Sequence, residues 1–200
     1  MIEFFTPDRK DEGKFEDILK LGVLRSRVFF LDSEVDCELS RRFRRETIAM
    51  SGAKNGKDPI TVIINSPGGE VTEGFAIIST IRQLQRQGVK VQALVQGDAA
   101  SMAAVIAAAC DTCEMTSLSR LMWHGITGGF MGDLSDLDAN KREIENMAER
   151  LMEILTKRAR NEDSKYHNPA FVKKILRDKK PVWIYPKDAL EAGIVDEVVE

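Results

Sequence analysis

An α/β fold with repeated β-α units on a parallel sheet is predicted by three observations. Short apolar segments of strand character alternate with segments whose apolar residues recur at helical spacing. That alternation is the signature of a parallel sheet with right-handed crossovers. The chain, 200 residues with 43% hydrophobic and 30% charged residues, has the size and balance of one domain able to bury a core. Finally, three segments that suit a binding site, Pro67-Gly68-Gly69, Ser101 and His124, each follow a predicted strand. In a parallel sheet such ends share one rim, where ligand sites form.

In chain order, a charged N-terminal tract (residues 1–16) leads into a short helical pattern over 17–24. Val28-Phe29-Phe30-Leu31 is a compact apolar strand closed by Asp32-Ser33, and 36–51 reads as an amphipathic helix. Residues 53–59, with Asn55-Gly56 and Pro59, form a loop. Ile60 to Asn65 is a strand, Ser66-Pro67-Gly68-Gly69 a turn, and 71–87 a helix whose Phe75, Ile78, Ile81 and Leu84 recur every three residues. Val91 to Gln96 alternates as a strand does; residues 102–110 follow as a buried small-residue helix, and a further strand ends at Arg120-Leu121-Met122-Trp123-His124. From 135 to 160, Leu137, Ile144, Met147, Leu151, Ile154 and Leu155 form a narrow stripe between charged faces. A helix of that span reaches ~39 Å, long for this chain. Either it packs along its own core or it projects and buries its stripe against another subunit.

Bulk properties exclude several classes. A net charge of −3 without a basic cluster predicts no nucleic-acid partner. No apolar run approaches the ~20 residues of a membrane span, and the N-terminus lacks a secretory core, so a cytoplasmic location is expected. Cys37, Cys110 and Cys113 include one C-x-x-C, but His124 and His167 are not spaced to complete a zinc site. Core or turn cysteines are expected, with no metal and no cofactor.

The chemistry concentrates at Gly97-Asp98-Ala99-Ala100-Ser101-Met102, where a strand ends and a helix opens with a hydroxyl at the junction. A serine there is ordinarily a helix cap. It is also where a nucleophile sits, given a base; His124, on the same rim and followed by a glycine, suits that task. Acyl transfer further needs donors for the developing oxyanion, and the N–H groups of the Gly68-Gly69 turn and of Met102 are unobstructed candidates.

Asn65-Ser66-Pro67-Gly68-Gly69, Gly97-Asp98-Ala99-Ala100-Ser101-Met102-Ala103, Ser119 to His124, Gly128-Gly129-Phe130 and Asp188 to Asp196 occur in an order and spacing that resembles the proteolytic subunit of the Clp protease. The likeness covers roughly residues 15 to 200. It implies a crotonase-like α/β fold with a long handle helix (134–160). It also implies Ser101 as nucleophile, His124 as general base, and an oxyanion hole from the N–H groups of Gly69 and Met102. Gly128, Gly129 and Phe130 would line the peptide groove. Members form heptameric rings stacked in pairs, fed with unfolded polypeptide by an ATP-driven unfoldase of the AAA+ class.

Two features depart from the pattern. The family's third catalytic residue, an aspartate two positions before the aromatic residue matched by Trp183, falls on Pro181. Asp178 is the nearest upstream carboxylate, and the Lys/Arg-rich segment 156–180, longer than usual, is expected to act as a loop that swings it onto the imidazole. A dyad without a carboxylate, or a peptide carbonyl in that role, stays open; a lysine base from Lys179 or Lys180 is disfavoured by the presence of His124. The start of the N-terminal tract, Met1-Ile2-Glu3-Phe4-Phe5, is mostly apolar, and the tract is expected to be shorter than the family's gating segment. The expected function is therefore a serine endopeptidase. The alternatives are an inactive ring subunit, a phage head-maturation type protease, or hydratase or isomerase chemistry on an acyl thioester. The last uses carboxylate acids and bases, against which Ser101 with His124 argues.

Overall fold

The structure is a computed structural model that describes residues 21–53, 56–127, 137–178 and 180–200, with only the backbone of Leu137. Among the described residues, seven strands form one sheet: β1 (Val28–Leu31), β2 (Ile60–Ser66), β3 (Val91–Ala100), β4 (Thr112–Thr116), β5 (Arg120–Trp123), β6 (Val182–Ile184) and β7 (Glu197–Val199). The helices are α1 (Cys37–Ser51), α2 (Val71–Arg86), α3 (Met102–Ala109), α4 (Leu137–Arg158), α5 (Pro169–Arg177) and α6 (Pro186–Glu191). Residues 21–26 are also helical.

The expected mixture of strands and helices is present, and the main path of the sheet, β1-β2-β3-β4-β7, is parallel throughout. Its strands alternate buried and less buried residues, with Phe29, Leu31, Ile60, Val62, Ile64, Val91 and Val95 inaccessible to solvent. Helices α2 and α3 bury Ile77, Ile81, Leu84 and Ile106 in the same core. The small residues expected at 102–110 let α3 run close beneath the sheet; its residues Met102 to Ala107 are all buried.

Strand β3 determines where the site lies. Its first half pairs with β4, from Gln92↔Thr112 to Val95↔Met115. Its second half leaves β4 and pairs in parallel with β5, from Asp98↔Arg120 to Ala100↔Met122. The change occurs at Gly97, whose φ of 120° suits glycine and whose added Cβ would lie 2.5 Å from Asn65 Oδ1. Ser119 fills the opening between β4 and β5: its hydroxyl donates to Val95 O (2.8 Å) and accepts from Gly97 N–H (2.9 Å). Backbone groups that the fork would orphan are thereby satisfied.

Several elements differ from expectation. Strand β4 occupies Thr112–Thr116, through the C-x-x-C segment; Cys110 and Cys113 are buried free thiols, as ordinary core cysteines are. Desolvation pushes both thiols up, Cys113 to about 12, so neither supplies a thiolate. The segment expected as a long mobile loop instead carries a 3₁₀ turn (Lys165–His167) and α5. Asn168 caps α5, its side chain accepting from Ala170 N–H at 2.9 Å, and Pro169 opens it. Val172, Ile175 and Leu176 bury one face against α4, which the basic composition of the segment conceals.

Helix α4 divides by length. Asp138 to Asn146 are all exposed, whereas Leu151, Leu155 and Arg158 are buried. Packing along the chain's own core thus holds for the second half of the helix, and the first half is exposed. At the buried end the Arg158 guanidinium donates to Ile194 O (2.7 Å) and pairs with Asp196, tying α4 to the approach of β7. Among the described residues no helix is long and apolar enough to cross a membrane, and no three acidic, His or Cys side chains are grouped to hold a metal ion.

Candidate active site

Parallel pairing of β3 with β5 brings their carboxyl ends side by side, and Ser101 N–H donates to Met122 O at 2.8 Å. Ser101 then turns into α3 with φ 53° and ψ −123°, a conformation costly for a residue with a Cβ. It occupies the capping position of α3, but its side chain makes no capping hydrogen bond. Instead Ser101 Oγ lies 2.8 Å from His124 Nε2, the residue just beyond β5. The ordinary reading of this serine as a cap therefore fails: its hydroxyl is spent on the imidazole.

The glycine turn closes over the same point. Gly68 has φ 91° and Gly69 φ 152°. A Cβ on Gly68 would fall 2.6 Å from Ser101 Cβ and 2.8 Å from Met102 N, so only glycine permits this approach. The turn is pinned by Val35 N–H donating to Gly68 O (2.7 Å) and Glu70 N–H donating to Val35 O (2.8 Å). Gly68 N–H is itself engaged by Ser66 Oγ at 3.2 Å. The N–H groups of Gly69 and Met102 donate to no acceptor among the described residues. Two free donors beside a serine hydroxyl can bind the oxygen of a tetrahedral adduct.

Ser101, Met102, Gly69 and His124 all border one cavity, whose apolar wall is built by Val71, Val105, Trp123, Leu151, Leu155 and Leu176. Sequence reading named the polar members and missed this wall. Trp123 was signalled only by its place before His124, and Leu176 only by the Val172-Ile175-Leu176 spacing after Asn168-Pro169.

Asp178 follows the last turn of α5, and its main chain reaches the site: Gly125 N–H donates to Asp178 O at 3.1 Å. A Cβ on Gly125 would meet Asp178 O at 2.7 Å and Leu176 O at 2.9 Å. The exposed Asp178 carboxylate accepts from Lys180 N–H (3.3 Å) and makes no hydrogen bond to His124. Pro181 is exposed ahead of β6. Gly128, Gly129 and Phe130 lie outside the described residues.

The family model for the Clp protease matches residues 10–200 of this sequence. The chain belongs to the Clp protease family. Among similar relatives is the ATP-dependent Clp protease proteolytic subunit of Porphyromonas gingivalis. It is 30% identical over 181 residues, which cover 89% of this chain and 76% of the relative. The subunit of the same name from Deinococcus radiodurans is 28% identical, covering 89% of this chain and 82% of its own length. Membership makes the chain a hydrolase of the Clp protease type and its fold the Clp protease fold, the expectation raised by the motifs.

Proposed function

We propose that this member of the Clp protease family is a serine endopeptidase in which Ser101 attacks the scissile carbonyl and His124 takes its proton. The observation that carries this reading is the 2.8 Å contact between Ser101 Oγ and His124 Nε2. With Nε2 as acceptor, the hydroxyl proton passes to the imidazole as the C–O bond forms, and the carbonyl oxygen becomes an oxyanion. The Gly69 and Met102 N–H groups receive that charge. The imidazolium next gives its proton to the leaving amine, and water, activated by the same base, hydrolyses the acyl-enzyme.

The orienting role falls to the end of α5. Asp178 is the carboxylate nearest in sequence to the family position. Its carbonyl bond to Gly125 N–H holds the main chain that bears His124. Gly128, Gly129 and Phe130 are proposed to line the groove for an extended polypeptide. The relatives are named proteolytic subunits of an ATP-dependent protease; on the family resemblance, the chain is proposed to work as a homo-oligomeric subunit alongside an ATP-driven unfoldase of the AAA+ class in the cytoplasm. The exposed first half of α4 supports assembly.

A fluorophosphonate probe tests the chemistry. Ser101 is expected to carry the adduct. Ser101→Ala is expected to abolish both labelling and cleavage of unfolded casein, and His124→Ala to lower turnover by about 10⁴-fold or more. A second reading, an inactive ring subunit, draws on the family's aspartate position falling on Pro181; an intact oligomer with no adduct and no cleavage would establish it.

A further inference from the structure

We infer that Asp98 and Arg120 are positioning residues for the proposed chemistry: their paired side chains fix how far β5 is advanced along β3, and so hold His124 opposite Ser101. The inference rests on the peptidase reading above. Asp98 stands three positions before Ser101, and Arg120 four before His124. The parallel ladder between them is short, from Asp98↔Arg120 to Ala100↔Met122. Alternation sets part of its register. Leu121 and Trp123 are each 2% exposed, so a slip of one residue would turn them out and Arg120 in. A slip of two keeps every side chain on its face while carrying His124 ~6.6 Å along the strand. Smaller displacements matter as well, since a misplacement of about 1 Å can cost 10²-fold in rate.

The ion pair at the start of the ladder opposes such sliding. Arg120 Nε donates to Asp98 Oδ1 (2.7 Å) and Arg120 Nη2 to Asp98 Oδ2 (2.9 Å). A bidentate pair of this kind fixes angle as well as distance. Each partner is also held from a further strand. Asp98 N–H donates to Asn65 Oδ1 of β2 (3.1 Å), where the β2–β3 register shifts between Ile64 and Ser66. Arg120 Cζ lies 4.3 Å from the centre of the Trp183 ring of β6, and Trp183 is the register partner of Met122. Strands β2, β3, β5 and β6 are thereby tied at one level, just ahead of Ser101 and His124. The Arg120 and Asp98 side chains are 42% and 37% exposed, so their loss changes global stability little. Their effect falls on alignment.

The test compares full-length Asp98→Asn, Arg120→Gln and the double variant with wild type on a fluorogenic peptide. Each single change is expected to lower kcat by about tenfold, with KM altered by less than about threefold and Tm by less than about 4 °C. Because the pair acts as a unit, the double variant is expected to lose no more than the worse single. Arg120→Lys, which keeps the charge but not the fork, is expected to behave as Arg120→Gln does. Wild-type kcat in Arg120→Lys would assign the effect to charge alone and overturn the inference. So would wild-type kcat in the single variants, a loss carried by KM, losses that multiply in the double variant, or a Tm that falls in step with kcat. With wild-type Ser101 labelled by the fluorophosphonate, any of these leaves the peptidase reading standing. A wild type with neither adduct nor hydrolysis overturns both.

Discussion

At Ser101 the backbone works against its own preference: a φ of 53° and ψ of −123° costs of order 1–3 kcal/mol for a residue with a Cβ. Ser101 N–H is held by Met122 O, and Gly68 closes against its Cβ. These contacts keep the hydroxyl outside the capping geometry and on the imidazole. His124 is less fully equipped. Because the Asp178 carboxylate is off the ring and bonded to Lys180 N–H, Asp178→Asn is expected to lower kcat by less than about tenfold. A buried triad aspartate costs about 10⁴. Steady-state peptide kinetics distinguish the two, and a loss of several orders of magnitude would mean that the carboxylate turns inward during catalysis. The serine, the histidine and the glycine turn were legible in the sequence because each combines an unusual residue with a strand end. Asp178 was named in the sequence for its carboxylate, whereas the hydrogen bond it makes to the site's backbone uses its main-chain oxygen, which no side-chain pattern encodes.

Among the elements, strong periodicity made β1, β2, β3, α1, α2 and α3 readable to within a few residues. Strand β4 was hidden because Thr112–Thr116 is five residues long and its cysteines invite a motif reading. Helix α5 was hidden by lysines and arginines, although Asn168-Pro169 gives it a capping signal that basic composition outweighed. Its charges turn out to be partly structural, in the pairs with Glu145 and Glu149. The junction of α4 with β7 carries a pH dependence. Burial opposes the charge on Asp196, yet the Cys113 N–H with Arg158 and Arg160 holds its pKa below the ordinary 3.8. The folded state therefore gains from this carboxylate above about pH 3.8 and loses that gain as pH falls toward the lowered value. Asp196→Asn is expected to destabilise the protein by about 2 kcal/mol at pH 7, with the difference from wild type shrinking below pH 3.8. Thermal unfolding across that range measures it; a constant difference would place the effect elsewhere.

For the whole molecule, the exposed half of α4 is the feature that a lone subunit leaves unexplained. Ile144 is 48% exposed there, on the apolar stripe that farther along the helix buries Leu151 and Leu155. If that stripe continues into a neighbouring copy, Ile144→Asp is expected to shift the protein to smaller species in sedimentation while each subunit stays folded. An unchanged assembly would exclude this face from the contact. The forked β3 has a consequence of its own. Ser101, His124 and the glycine turn lie on separate crossovers and meet only when β3 has paired with β2 on one side and with β5 on the other. Such long-range pairings accumulate late and slowly as a chain folds. Until those pairings form, Ser101 and His124 stand apart, so the contact between them depends on completion of the sheet.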